Sequence, residues 1–211
     1  MPEVCVLIDR RNERCPDTWV KFPWEKEQGP EDAVVRLLSF LGENPRRAGL
    51  LDTPRRVVKA LSEMTAGYKQ DAATYLRRTF PDRADEMVVV RGIRFTSLCE
   101  HHLMPFYGRA SVGYVPRDEV VGLSKIPRAF QVFAQRLQVQ ERLTEEVAEA
   151  IETSLNPKGV GVVVIARHEC MACRGARQPD AEMVTSALRG AMKDDVRARA
   201  EFLRLAGITQ G

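Results

Sequence analysis

From residue 31 the apolar side chains fall at Val34, Val35, Leu37, Leu38 and Leu41, the spacing of one helix face, and Gly42 followed by Asn44-Pro45 predicts where that helix ends. A second helix is predicted from Thr53-Pro54, a cap followed by a first-turn proline, through Val57, Val58, Leu61 and Met64 to Gly67. On it Arg56 and Lys59 are three apart and share a face. The pattern weakens over 68–86. Residues 87–95 and 107–115, rich in Val, Ile and aromatic residues, then predict two strands. Gly122-Leu123-Ser124-Lys125 leads into a helix from about Pro127, with Phe130, Val132, Phe133 and Leu137 apolar, and Leu143, Val147, Ala148, Ile151 and Leu155 stripe another. After the turn Asn156-Pro157-Lys158-Gly159, the almost continuous β-branched run 160–166 predicts a strand covered on both faces. These elements give an α+β class, with helices packed on a largely antiparallel sheet. Residues 1–30 follow neither period and are expected to form an irregular arm, before a helical region over 31–86 and a sheet-bearing domain over 87–211.

Composition narrows the function. With 211 residues and 44% hydrophobic composition, one sizeable core is expected. Thirty-two basic against 29 acidic side chains give a net charge of only +3, so no nucleic-acid partner is called for. No apolar run approaches the ~18 residues of a membrane helix, and residues 4–8 are too short for a signal-peptide core. A cytoplasmic protein without a membrane partner is therefore expected, and its cysteines are expected to be thiols and not a disulfide framework.

Five cysteines are present, Cys5, Cys15, Cys99, Cys170 and Cys173, and only three histidines, His101, His102 and His168. Every histidine lies within three residues of a cysteine, in Cys99-Glu100-His101-His102 and in His168-Glu169-Cys170-Met171-Ala172-Cys173. Thiolate and imidazole are the ligands zinc prefers; three protein ligands leave a catalytic position open, whereas four close a structural site. On a helical turn Cys99 and His102 fall on one side and His101 points elsewhere. On an extended segment His168 and Cys170 share a face and Cys173 takes the other. Cys99, His102 and Cys170 are thus the expected ligands, and a closed Cys99/His102/Cys170/Cys173 site is the alternative. Gly159-Val160-Gly161 lacks the third glycine of a dinucleotide fingerprint and is assigned to packing. With no Walker A sequence, a phosphate ligand must be held by side chains, for which Lys125, Arg128, Arg174, Arg56 and Lys59 are the candidates.

Five strings in order resemble the GTP cyclohydrolase I family: Gly49-Leu50-Leu51-Asp52-Thr53-Pro54-Arg55-Arg56-Val57, Ser97-Leu98-Cys99-Glu100-His101-His102-Leu103-Met104-Pro105-Phe106, Val121-Gly122-Leu123-Ser124-Lys125, Gln138-Val139-Gln140-Glu141-Arg142-Leu143-Thr144, and His168-Glu169-Cys170-Met171 with Arg174-Gly175. The resemblance implies the tunnelling fold, a curved antiparallel sheet with packed helices, in a homodecamer of two pentamers. It implies zinc on Cys99, His102 and Cys170, proton transfer by His101 and His168, the guanine base on Gln140 and Glu141 with Ser124 close by, and the triphosphate on Lys125, Arg128 and Arg174. Arg56 and Lys59 would come from a neighbouring subunit. The implied reaction is zinc-dependent hydrolytic opening of the GTP imidazole ring at C8, release of formate and rearrangement to 7,8-dihydroneopterin triphosphate. Residues 1–30, Cys173 and Ala181 depart from the family pattern. The competing classes are a tunnelling-fold relative acting on another pterin or deazapurine, which Cys99 and Cys170 disfavour, and a non-catalytic zinc-binding homologue, which has no need of Gln140, Glu141, His101 and His168.

Overall fold

A computed structural model describes residues 29–81 and 86–208; most of the expected arm, with Cys5 and Cys15, lies outside the described residues. The chain groups into two compact units that divide between Val58 and Lys59. The second unit holds the described residues 59–81 together with the sheet.

In the first unit, helix α1 (Pro30–Phe40) starts where expected. Pro30 occupies the first turn, the Gly29 amide donates to the Asp32 carboxylate at 3.2 Å, and Glu31 and Asp32 set negative charge at the positive end of the helix. Gly42, at φ +88°, ends it. Its apolar stripe is open: Leu37, Phe40 and Leu41 are 54%, 85% and 66% exposed. A 3₁₀ turn (Ala48–Leu50) precedes α2 (Thr53–Met64), which crosses into the second unit.

The weakly patterned stretch after α2 holds a 3₁₀ turn (Ala66–Lys69), the short helix α3 (Ala73–Leu76) and strand β1 (Thr79–Pro81), which pairs antiparallel with β4 (Glu119–Val121). The main sheet is built from β2 (Val88–Cys99), β3 (Pro105–Val115), β5 (Leu137–Gln138), β6 (Gly159–His168) and β7 (Met183–Gly190), in the order β5-β2-β3-β6-β7. Every pair is antiparallel except β2 with β5, two residues long and parallel. Strand β2 runs past the predicted 87–95 because Ser97, Leu98 and Cys99 are buried along with Phe95.

Helices α4 (Lys125–Ala134) and α5 (Gln140–Leu155) cover one face of the sheet. There Phe130, Leu143, Val147 and Ile151 pack with Phe95, Phe106, Val112, Val162 and Val164 in the main core. After the four-residue helices α6 (Glu169–Ala172) and α7 (Ala191–Asp194), α8 (Val196–Leu205) delivers Phe202 into a second cluster with Val163, Met192 and Ala206. Because Val163 alternates with Val162 and Val164, the two clusters lie on opposite faces, and β6 is covered on both, as its sequence predicts. Gly113 and Gly161 make room for Phe202: a Cβ on either would stand 2.8 or 2.6 Å from its ring. The Gly159-Val160-Gly161 run is accordingly a packing feature. Strand β7 and helix α8 had no prediction.

Candidate metal centre and substrate site

Strands β2 and β6 both pair with β3, and the pairs Ser97 with Phe106 and Phe106 with His168 bring the end of β2, the start of β3 and the end of β6 to one end of the sheet. Cys99 is the last residue of β2. Its amide donates to the Met104 carbonyl at 2.8 Å and its carbonyl accepts from Leu103 N at 2.8 Å, with Leu103 at φ +53° closing a tight loop. This turn brings Nδ1 of both His101 and His102 to 3.8 Å from Cys99 Sγ, so His101 does not point away from the thiol as a helical turn would have it. His102 is the one that meets the second segment: the ligand atoms of Cys99, His102 and Cys170 all lie within 4.8 Å of one another.

Cys170 arrives differently from its prediction. The extended backbone stops at His168, and Cys170 sits in α6, whose turn follows immediately. Cys173, one turn on, is exposed, and its Sγ bonds to the Glu169 carbonyl at 3.0 Å. It lies outside the three-residue cluster, and among the described residues that cluster has no fourth protein donor.

The donors suit a borderline-soft cation such as zinc: two thiols and an imidazole, already gathered at the end of a rigid sheet. Burial first, and the neighbouring Cys99 thiol second, push the Cys170 thiol above its ordinary pKa. A cation between the two sulfurs reverses that preference, since a coordinated thiol loses its proton.

Each of these two cysteine-bearing turns is tethered through a glutamate. Glu100 accepts from Arg142 Nη2, which also donates to the Leu137 carbonyl at 3.0 Å, while Arg142 Nε donates to Gln138 Oε1 at 3.0 Å. Arg142 holds the Glu100 carboxyl below its usual range. On the other turn, Glu169 accepts from the Tyr107 hydroxyl at 2.9 Å and pairs with Arg167 at 3.2 Å. Neither tether was predicted, because neither Arg142 nor Tyr107 stands near a cysteine in a way that spacing reveals.

His168 is half-buried. Its ring stacks on Phe106 with centroids 4.6 Å apart and planes 1° from parallel, and its Nε2 lies 2.8 Å from Gln140 Oε1. Burial lowers its pKa, with the Glu141 carboxylate opposing in part.

A family model described as GTP cyclohydrolase I matches residues 30–207. Curated proteins named GTP cyclohydrolase 1 are similar over most of the chain. That of Chlorobaculum tepidum is 51% identical over 177 residues, covering 83% of this chain and 79% of its own length. That of Campylobacter jejuni subsp. jejuni is 51% identical over 176 residues, covering 83% and 93%, and that of Bacillus subtilis is 51% identical over 174 residues, covering 82% and 92%. The chain belongs to the GTP cyclohydrolase I family.

The remaining residues that the GTP cyclohydrolase I resemblance singled out are placed as follows. Glu141, second residue of α5, is exposed beside the buried Gln140. Arg174 follows α6, its Nη1 at 3.5 Å from the Cys170 carbonyl. Cys99, His101, His102, Gln140, Glu141, His168, Cys170 and Arg174 are thus brought to one end of the sheet. Ser124 stands just before α4 without a side-chain capping bond and is exposed with Arg128, and Lys125 opens the helix. Among the described residues no side-chain hydrogen bond or ion pair engages Lys125 or Arg128. Arg56 and Lys59 are exposed on α2 and pair locally, Arg56 with Asp52, just before the helix, at 3.1 Å and Lys59 with Glu63 at 3.8 Å. No helix is long and apolar enough to cross a membrane among the described residues.

Proposed function

We propose that this chain acts as a GTP cyclohydrolase I, opening the imidazole ring of GTP at C8, releasing formate and yielding 7,8-dihydroneopterin triphosphate. The observation that carries the reading is the meeting of Cys99, His102 and Cys170 beside His168 and Glu141, in a chain of this family. Cys99, His102 and Cys170 would hold the metal, proposed to be zinc, whose Lewis acidity lets water act as a nucleophile near neutral pH.

The chain's own residues supply the rest. The exposed Glu141 carboxylate accepts from guanine N1–H and the exocyclic amine together, a pattern adenine does not offer. His168 gives a proton to N7, which makes C8 electrophilic, and its place against Phe106 holds the ring in one plane while it does so. His101, more exposed and beside Glu100, carries protons in the later steps of sugar rearrangement and ring closure. Lys125, Arg128 and Arg174 take the triphosphate, with Ser124 close to the base, anchoring substrate away from the reacting carbon.

The assembly belongs to the same proposal: a homodecamer of two pentamers, in which Arg56 and Lys59 reach a neighbouring subunit's triphosphate. The exposed Leu37, Phe40 and Leu41 on α1 support a subunit contact, because large apolar side chains clustered on one face mark interaction surfaces. Free thiols at the metal site fit a reducing, cytoplasmic setting.

Purified protein incubated with GTP should release formate and develop a pterin chromophore, lose both on chelation and regain them with zinc. Metal-loaded protein that binds zinc without consuming GTP would overturn the reading in favour of a non-catalytic homologue.

A further inference from the structure

Gln140 was expected to touch the guanine base, yet it is 1% exposed and its amide is occupied by the protein. Its Nε2 has three acceptors within reach for its two protons, the Val164 carbonyl at 3.0 Å, the Met183 carbonyl at 2.9 Å and Thr185 Oγ1 at 3.1 Å. Carbonyl oxygens only accept, so the amide cannot be turned round: its oxygen would then face two other oxygens. The hydroxyls agree. Thr144 donates to the Gln140 backbone carbonyl at 2.7 Å, which leaves Thr185 to donate to Thr144 across 2.6 Å and to accept from Gln140. The two carbonyls fix the orientation of the amide, and the Gln140 side-chain oxygen must be the atom that faces His168. An oxygen there accepts, so His168 Nε2 carries the proton across the 2.8 Å bond.

We propose that Gln140 is a positioning residue that holds His168 with its proton on Nε2, making Nδ1 the nitrogen that exchanges protons with bound substrate. The inference rests on the proposed role of His168. The neutral ring first takes a proton from solvent on Nδ1; in the protonating step that Nδ1–H bond breaks, N7–H forms, the electron pair stays on Nδ1, and the ring returns to the neutral Nε2–H form that Gln140 favours. Without that contact the neutral ring could keep its proton on either nitrogen, and only the Nε2–H form leaves Nδ1 free to exchange with the base while its own proton stays hydrogen-bonded to Gln140. The network also ties α5 to β6 and β7, so the contact to His168 is fixed from three elements at once.

Nitrogen-15 spectra of histidine-labelled protein, with His168 assigned by its loss in His168→Ala, test the tautomer without any turnover. The expected result for neutral His168 is a protonated Nε2 and an unprotonated Nδ1, and a mixture in Gln140→Met. Protonated Nδ1 in the unsubstituted protein would overturn the proposal whatever the enzyme does with GTP. In kinetics, Gln140→Met should lower kcat by about tenfold or more while leaving KM and zinc content nearly unchanged. In a His168→Ala background it should cause no further loss, because the two residues act as a unit. A rise in KM with kcat kept would instead put Gln140 on the base, and equal losses in both backgrounds would reduce it to a structural strut. Thr185→Val, which removes one acceptor and spares the His168 contact, should stay within about twofold in kcat; a loss matching that of Gln140→Met would also overturn the assignment.

Discussion

The two cysteines of α6 and its flank separate an open metal from a closed one, and the structure sets the size of the difference. Cys170 Sγ lies within 4.8 Å of the donor atoms of Cys99 and His102, whereas Cys173 is exposed and engaged with the Glu169 carbonyl. Zinc held by four protein ligands is worth about 10–16 kcal/mol, so one ligand accounts for about 3 kcal/mol, or about two orders of magnitude in affinity. Cys170→Ser should therefore lose zinc to a chelator at about one hundredth of the concentration the unsubstituted protein withstands, and activity should fall with it. In Cys173→Ser a hydroxyl can keep the bond to Glu169, and at an exposed position the change should stay within about 0.5 kcal/mol. Zinc content by mass spectrometry after graded chelation, with formate release on the same samples, measures both. If Cys173→Ser gives up zinc as readily as Cys170→Ser, the site has four protein ligands. A water then has no place on the ion without ligand exchange, and the hydrolytic role would have to be withdrawn.

Glu141→Ala should abolish GTP turnover with zinc content unchanged, and near-normal turnover would remove Glu141 from the base site. Phe202→Ala should lower stability to urea by about 3–5 kcal/mol, because the ring is fully buried on Gly113 and Gly161, whose backbones cannot grow to fill the gap; a loss under about 1 kcal/mol would show that α8 is not anchored there. Glu141→Ala chains mixed with Arg56→Ala chains should recover activity once subunit exchange is demonstrated by labelled protein, and silence in proven mixed oligomers would place Arg56 outside a shared site.

The helices and central strands were legible because each has one buried face: the stripe in α5 and the β-branched run of β6 carry their period or its absence openly. Strand β7 was not, since Met183-Val184-Thr185-Ser186 alternates neither cleanly apolar nor cleanly polar, and what makes it a strand is its eight-residue ladder with β6. Helix α8 depends likewise on Phe202 finding two glycines distant in sequence. At the site, residue types and clustering led to Cys99, His102 and Cys170, but by an approximate route. Cys99 closes a strand where a helical turn was expected, and Cys170 comes off a helical turn where an extended segment was expected. The buried connections of Gln140 could not be read at all, because its partners Val164, Met183 and Thr185 lie 24 to 45 residues away.

The two turns that supply the thiols leave from strands on either side of β3, and neither strand touches the other. A slip of one residue in either ladder would turn its terminal side chains to the opposite face. Cys99, two residues past Ser97, and His168 would then no longer sit where the pairing of Ser97 and His168 with Phe106 now places them, and the three donors would not meet. A metal bound there would therefore proofread strand pairing: the three donors can hold an ion only in a chain whose two independent ladders are both in register. During synthesis and refolding, such an ion would add to the preference for correctly zipped sheets, so metal occupancy would serve as a count of correctly folded molecules as well as of active ones.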